Sequence, residues 1–228
     1  MRFLQLCLLL LLSPLVWGQS PAFPTKLKVL QADVNELARD LKLIETEANL
    51  KKGTLSVGKM VDGKANTVQI LCPTAGRFVF NVTAPAGERA ATLYKGVREM
   101  GFLFPHPRWQ ISPSPAQMQK SCGKFYVWQP ALKYRGFHLH NLHPNEWVHG
   151  FFLNKSDIAE KTIRWVARNG QNLIDISLVR IPLESLSKQM TPHYSLAQKL
   201  EVHTGVSLGL AFTQQKSYKL ISVMQSIF

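Results

Sequence analysis

Acidic side chains are scarce in this chain: 14 Asp and Glu stand against 27 Lys and Arg, a formal net charge of +13. Such a balance invites anionic partners. The basic residues are scattered rather than blocked, however, and aromatics do not interleave with them, so the pattern of a nucleic-acid surface is missing. Long apolar runs are also lacking. The run from Phe3 to Leu12 is too short to span a bilayer, and no later window approaches the ~20 apolar residues a transmembrane helix needs. No stable membrane insertion is expected. The chain has no glycine-rich phosphate loop, cysteine-rich zinc motif, nucleophile elbow or internal repeat, and so lacks the marks of the classes those patterns define.

What the start does carry reads as an export signal. Arg2 supplies a basic beginning, the apolar run follows, and "VWG" precedes a cut after Gly18. Residues 1–18 are therefore expected to be a signal peptide, and the remainder a periplasmic or extracellular protein. No cysteine follows that cut directly, which argues against lipid attachment there. Cys72 and Cys122 are the two cysteines that remain. Outside the cytoplasm they could form one bridge or stay as two buried thiols, and spacing alone does not choose between these.

Leu30, Val34, Leu37, Leu41 and Ile44 recur at three- and four-residue steps and predict an amphipathic helix ending near Gly53. The runs "TLSVGKMV", "NTVQILCP" and "RFVFNVTAP" read as strands separated by turn-rich residues, and "GERAATLYKGVREMGF" as a helix closed near Gly101. Residues 19–104 thus read as a small α+β domain, a sheet with helices on one face. Residues 105–130, rich in Pro and Ser, read as a linker. Over residues 131–228 the rhythm changes to strand then helix: "LKYRGFHLH", "SDIAEKTIRWVARNG", the strand "QNLIDISLV" of a kind buried on both faces, "PHYSLAQKLEVHTG" closing at Gly205, "VSLGLAFTQ" and "KSYKLISVMQSIF". Three such units predict parallel strands joined by crossovers. They are far short of the ~250 residues of a complete eight-unit barrel. The expected class is α/β: a small α+β N-terminal domain followed by the first three βα units of a (β/α)8 barrel-like domain, the N-terminal part of a longer enzyme or a shortened relative.

This order of elements, with "GFLFPHPRW" closing the first domain and Arg135-Gly136 on the first barrel strand, resembles the N-terminal half of the beta-hexosaminidase superfamily and its alpha-glucuronidase-like cousins. The resemblance implies a non-catalytic α+β domain before a barrel that hydrolyses amino-sugar or uronic-acid glycosides, with no cofactor and no metal. It implies that Arg135 reaches sugar hydroxyls. Asn172 and Leu178 agree with the family's second strand. His140 stands where the first strand has Asp, Asp175 and Ser177 where the second has His, and Arg180 where it has an acid. The family's catalytic carboxylates belong to a fourth barrel strand. Glu146, Asp157, Asp175 and Glu184 are isolated from one another in sequence, so no catalytic pair is assigned.

The stretch "KYRGFHLHNLHPNEWVHGFF" holds four of the seven histidines. His138 and His140 alternate by two and share a strand face. His143, Glu146 and His149 would follow in the loop at its C-terminal end, where barrel sites lie. Converging histidines could hold zinc, which needs three or four N, O or S ligands. They could equally be satisfied by backbone carbonyls with Trp147 packed beneath. The favoured reading is a saccharide-facing lip of Arg135, His138, His140, His143 and Trp147, joined by Arg180, since sugars take planar hydrogen-bonding groups and an aromatic platform. The expected partner is a saccharide or glycoconjugate. The rival is a non-catalytic carbohydrate-binding or structural module of the cell envelope. Asn81 and Asn154 begin Asn-X-Ser/Thr tripeptides.

Overall fold

The computed structural model describes residues 31–47, 54–140, 151, 156–178, 191 and 193–208. Helix α1 (Gln31–Glu47) buries Leu37, Leu41 and Ile44, one stripe at helical spacing, and packs on strand β1 (Thr54–Asp62). Strands β2 (Asn66–Thr74) and β3 (Arg77–Ala84) form an antiparallel hairpin, and β1 lies parallel to β3 on its other side. The period-two pattern sends Val68, Ile70, Phe78, Phe80, Val82 and Ala84 inward. Helix α2 (Arg89–Glu99) lays Ala90, Leu93, Tyr94 and Val97 across that face. Asn81 lies on the opposite face, where its Oδ1 accepts the Lys59 N–H at 2.9 Å beside the bulge in β1.

The stretch expected as a linker, residues 105–130, is structured instead. Strands β4 (Leu103–His106) and β5 (Trp109–Ile111) pair as a hairpin, and a short helix α3 (Pro115–Gln119) follows. Ser114 caps α3, accepting the Gln117 N–H at 3.2 Å, with a proline in its first turn. Strand β6 (Phe125–Trp128) then joins the first sheet antiparallel to β2, giving the order β1-β3-β2-β6. A disulfide between Cys72 and Cys122, Cα to Cα 5.5 Å, fastens this return. Pro and Ser in this stretch are turn and cap residues of a folded segment, so the first region extends to β6.

Strands β7 (Gly136–His140), β8 (Leu173–Leu178) and β9 (His203–Leu208) form a parallel sheet in that order, as the strand-helix rhythm predicts. Helix α4 (Ser156–Arg168) connects the first two strands, and residues 193–199 form a helix, α5, before the third. The molecule is mixed α+β, and among the described residues the second sheet does not close into a barrel. Ile174 and Ile176 of β8 are buried with Ile163, Val166 and Ala167 of α4, and Phe137 of β7 stacks on Trp165 at 4.6 Å. The expectation that β8 is covered on both faces is not met: Leu173 and Asp175, on the alternate face, are only half-buried. β9 also begins earlier than its pattern suggests. Gly205 lies inside it, and the preceding helix is stopped by Glu201, whose φ of 55° occupies the left-handed region usually left to glycine.

The two regions share a charged seam. Asp40 of α1, fully buried, accepts from Arg164 Nη1 at 2.7 Å and Arg168 Nη2 at 3.2 Å on α4. Burial works to lower the Arg164 pKa, but Asp40 and Glu160 outweigh it and raise the value. Trp165 Nε1 and Asn169 Nδ2 both donate to the Phe104 carbonyl, at 2.8 and 3.0 Å.

Candidate functional site

The register of the parallel sheet decides which polar groups meet. His138 of β7 pairs with Asp175 of β8, and Asp175 with Gly205 of β9. Register partners in a parallel sheet point to the same face, here the one opposite the α4-packed isoleucines. His138 Nδ1 lies 2.8 Å from Asp175 Oδ2. An ionised carboxylate only accepts, so in this contact it is the imidazole Nδ1 that donates. The pair is open to solvent, with side-chain exposures of 51 % and 28 %. A Cβ at position 205 would stand 3.0 Å from Asp175 Oδ1. The glycine is what keeps a side chain off that oxygen from the β9 side. The next rung aligns His140 with Ser177 and Ser177 with Ser207.

A polar, solvent-reachable face is unusual for an all-parallel sheet, whose faces are ordinarily both covered. The arrangement can do two things chemically. A carboxylate that orients an imidazole makes His138 a competent proton acceptor. Both groups are also polar and solvent-reachable, so a polar ligand lying on this face would meet them.

Arg135, expected at the sugar, has its described partners at the start of β7. It precedes β7, at the N-terminal end of the strand, whereas barrel sites form at C-terminal ends. Its guanidinium reaches Glu88 at 2.7 Å, the carbonyls of Leu132 and Gly170 at 2.5 and 3.1 Å, and lies over the Trp128 ring. Asn172, the other residue that fits the family pattern, is buried beside it. Its Oδ1 accepts the Arg135 N–H at 2.9 Å, and its Nδ2 donates to Glu88 and to the Lys133 carbonyl. Glu201, just before β9, accepts from the backbone N–H groups of Gly87 and Ala90 at 3.1 and 3.0 Å and from Arg89 Nε at 2.5 Å. Residues at the starts of all three parallel strands thus converge on the first turn of α2. Arg135 and Asn172 hold the regions together.

His143, Trp147, Arg180 and the second tripeptide at Asn154 lie outside the described residues, as does the side chain of His140. Among the described residues, no group of three His, Cys, Asp or Glu side chains converges as a metal site, and no helix is long and apolar enough to cross a membrane. Sequence reasoning left Asp175 as an isolated acid and passed over Glu88 and Glu201. For Asp175 the signal was there, since equal strand starts in successive units would have set it opposite His138.

No protein-family model, curated protein or solved structure matches this chain.

Proposed function

We propose that this is an exported carbohydrate-active protein, the N-terminal portion of a glycoside hydrolase of the kind that acts on amino-sugar or uronic-acid glycosides, in which His138 and Asp175 contact the saccharide. One observation carries the reading: a solvent-reachable His138–Asp175 pair on the face of a parallel sheet opposite α4, in a sheet that follows an α+β region. The Cys72–Cys122 disulfide supports an oxidising compartment. Polar groups on such a face would line the interior of a barrel built from further units of the same kind.

A second reading, a non-catalytic carbohydrate-binding module, draws on a specific feature of the rung. Paired-carboxylate hydrolysis needs two carboxyl groups flanking the bond, and the rung of His138, Asp175 and Gly205 supplies one. Both readings require saccharide binding. A panel of amino sugars, neutral sugars and uronic acids tested by thermal shift on the full chain addresses them, since a ligand selective for the native state raises the midpoint. A shift that disappears in His138→Ala and Asp175→Asn is expected. A panel without any shift would remove both readings.

A further inference from the structure

Exposed apolar side chains and a lack of acids coincide in one part of the chain. Residues 100–145 contain no Asp or Glu. Strand β6, inside that stretch, is Phe125, Tyr126, Val127 and Trp128, without a charged residue of its own. Phe125 and Val127 are 59 % and 68 % exposed, while Tyr126 and Trp128 on the alternate face are half-buried. Lys120 and Lys124 before the strand and Lys133 after it are all exposed.

β6 is also a sheet edge. It pairs with β2 and, among the described residues, with no other strand. The Ile70 N–H donates to the Lys124 carbonyl at 3.0 Å, and the Ile70 carbonyl accepts the Gly123 N–H at 2.8 Å, so Ile70 turns its main chain toward β6. Hydrogen-bonded positions alternate along an antiparallel pair. In the observed register the next ones are Val68 with Tyr126 and Asn66 with Trp128. The main-chain N–H and C=O groups of Phe125 and Val127 therefore point to the outer edge, where a further strand would meet them. Such edges are ordinarily blunted by a charge, a proline or a bulge within the strand, and β6 has none of the three.

The edge is fixed at both ends. Cys122, bridged to Cys72, lies just before β6, and Trp128 at its far end stacks with the Arg135 guanidinium at 5.1 Å. A strand held beforehand loses little freedom when a ligand pairs with it. Charge then selects the occupant. A second copy would bring the same lysines against their counterparts, whereas acidic side chains would meet Lys120, Lys124 and Lys133 as opposite charges. A saccharide lacks the alternating N–H and C=O groups that pair with a strand edge.

We infer that the outer edge of β6 docks an extended acidic peptide, which adds to the four-stranded first sheet beside Phe125 and Val127. Main-chain hydrogen bonds supply the pairing, the exposed side chains of Phe125 and Val127 cover the apolar residues on one face of the peptide, and the flanking lysines hold its acids.

The test uses the full chain and two short fluorescent peptides, one alternating Val with Glu and the other Val with Lys, followed by anisotropy. The Glu peptide should bind about ten-fold or more tightly than the Lys peptide, and more weakly as salt is added. Val127→Pro removes an outward N–H and no bond to β2, a placement an edge strand tolerates. It should weaken the Glu peptide about ten-fold or more while the melting midpoint stays near that of the parent. Where that variant does not fold, Val127→Glu keeps the main chain, sets a like charge on the edge and should give the same loss. Equal binding of the two peptides, no binding of either, or unchanged affinity in a folded Val127 variant would overturn the inference. Self-association in sedimentation that Val127→Pro abolishes would overturn it as well, in favour of a second copy at this edge.

Discussion

Arg89 Nε and Glu201 Oε1 lie 2.5 Å apart, and each side chain is only 5 % exposed. The carboxylate also accepts the N–H groups of Gly87 and Ala90, so it caps α2 from a position 111 residues further along than Ala90. Next to it, Glu88 pairs with Arg135 with the charges reversed. Consecutive residues of one helix start thus hold opposite charges of the second region. Removing one partner of a buried pair leaves the other uncompensated. Glu201→Ala is expected to cost about 3–5 kcal/mol in a urea unfolding curve. A loss below about 1 kcal/mol, the worth of an exposed pair, would show that the pair is solvated.

Gly136 opens β7 directly against β8. A Cβ there would stand 1.8 Å from the Leu173 carbonyl oxygen, a backbone atom that cannot step aside without parting the strands. Gly136→Ala should therefore destabilise the chain by more than about 3 kcal/mol, beyond the usual range of point changes, or prevent recovery of folded protein. A parent-like melt would mean that β7 and β8 can separate cheaply.

The Cys72–Cys122 bridge closes a segment with a sequence separation of 50. Constraint of the unfolded chain by a loop of that size is worth about 4 kcal/mol on the chain-entropy model, within the 2–5 kcal/mol commonly seen on removing a native bridge. The double change Cys72→Ser, Cys122→Ser should lower stability by about 2–4 kcal/mol. Mass spectrometry after alkylation without reductant should find neither thiol labelled in the parent.

His193 of α5 is buried, and that burial pushes its pKa below the ordinary 6.5, with Glu160 pulling weakly the other way. A depressed histidine binds its proton less readily folded than unfolded. The unfolded state therefore takes up more protons as pH falls below 6.5, and stability is lost in that direction. The His193→Gln variant should show a shallower decline through this window, by at most about 1.4 kcal/mol per pH unit for one proton. Parallel curves for parent and variant would exclude His193 as a source.

Periodicity carried much of the architecture. Leu37, Leu41 and Ile44, the alternation of β2 and β3, and the strand-helix rhythm after residue 131 describe segments that bury one side, and burial is what periodicity records. Residues 105–130 were misleading because Ser114 and Pro115 begin a helix as readily as they fill a linker. The site was less legible. His138 and Asp175 are 37 positions apart, and their contact depends on register between strands, which neither strand states alone. The positions that fit the glycosidase pattern, Arg135 and Asn172, are occupied with joining the regions, and a pattern of residue types does not separate that work from ligand contact.

The charged seam has a thermodynamic consequence. Asp40 of α1 meets Arg164 and Arg168 across the boundary with α4, and Arg89 of α2 meets Glu201 across the boundary with the start of β9. Either region alone would have to hydrate charges that its own packing buries. Neither can melt first without stranding the other's ions. The chain should thus lose its structure in a single cooperative step, and a cut in the connection between β6 and β7 would leave two pieces that stay together until both unfold.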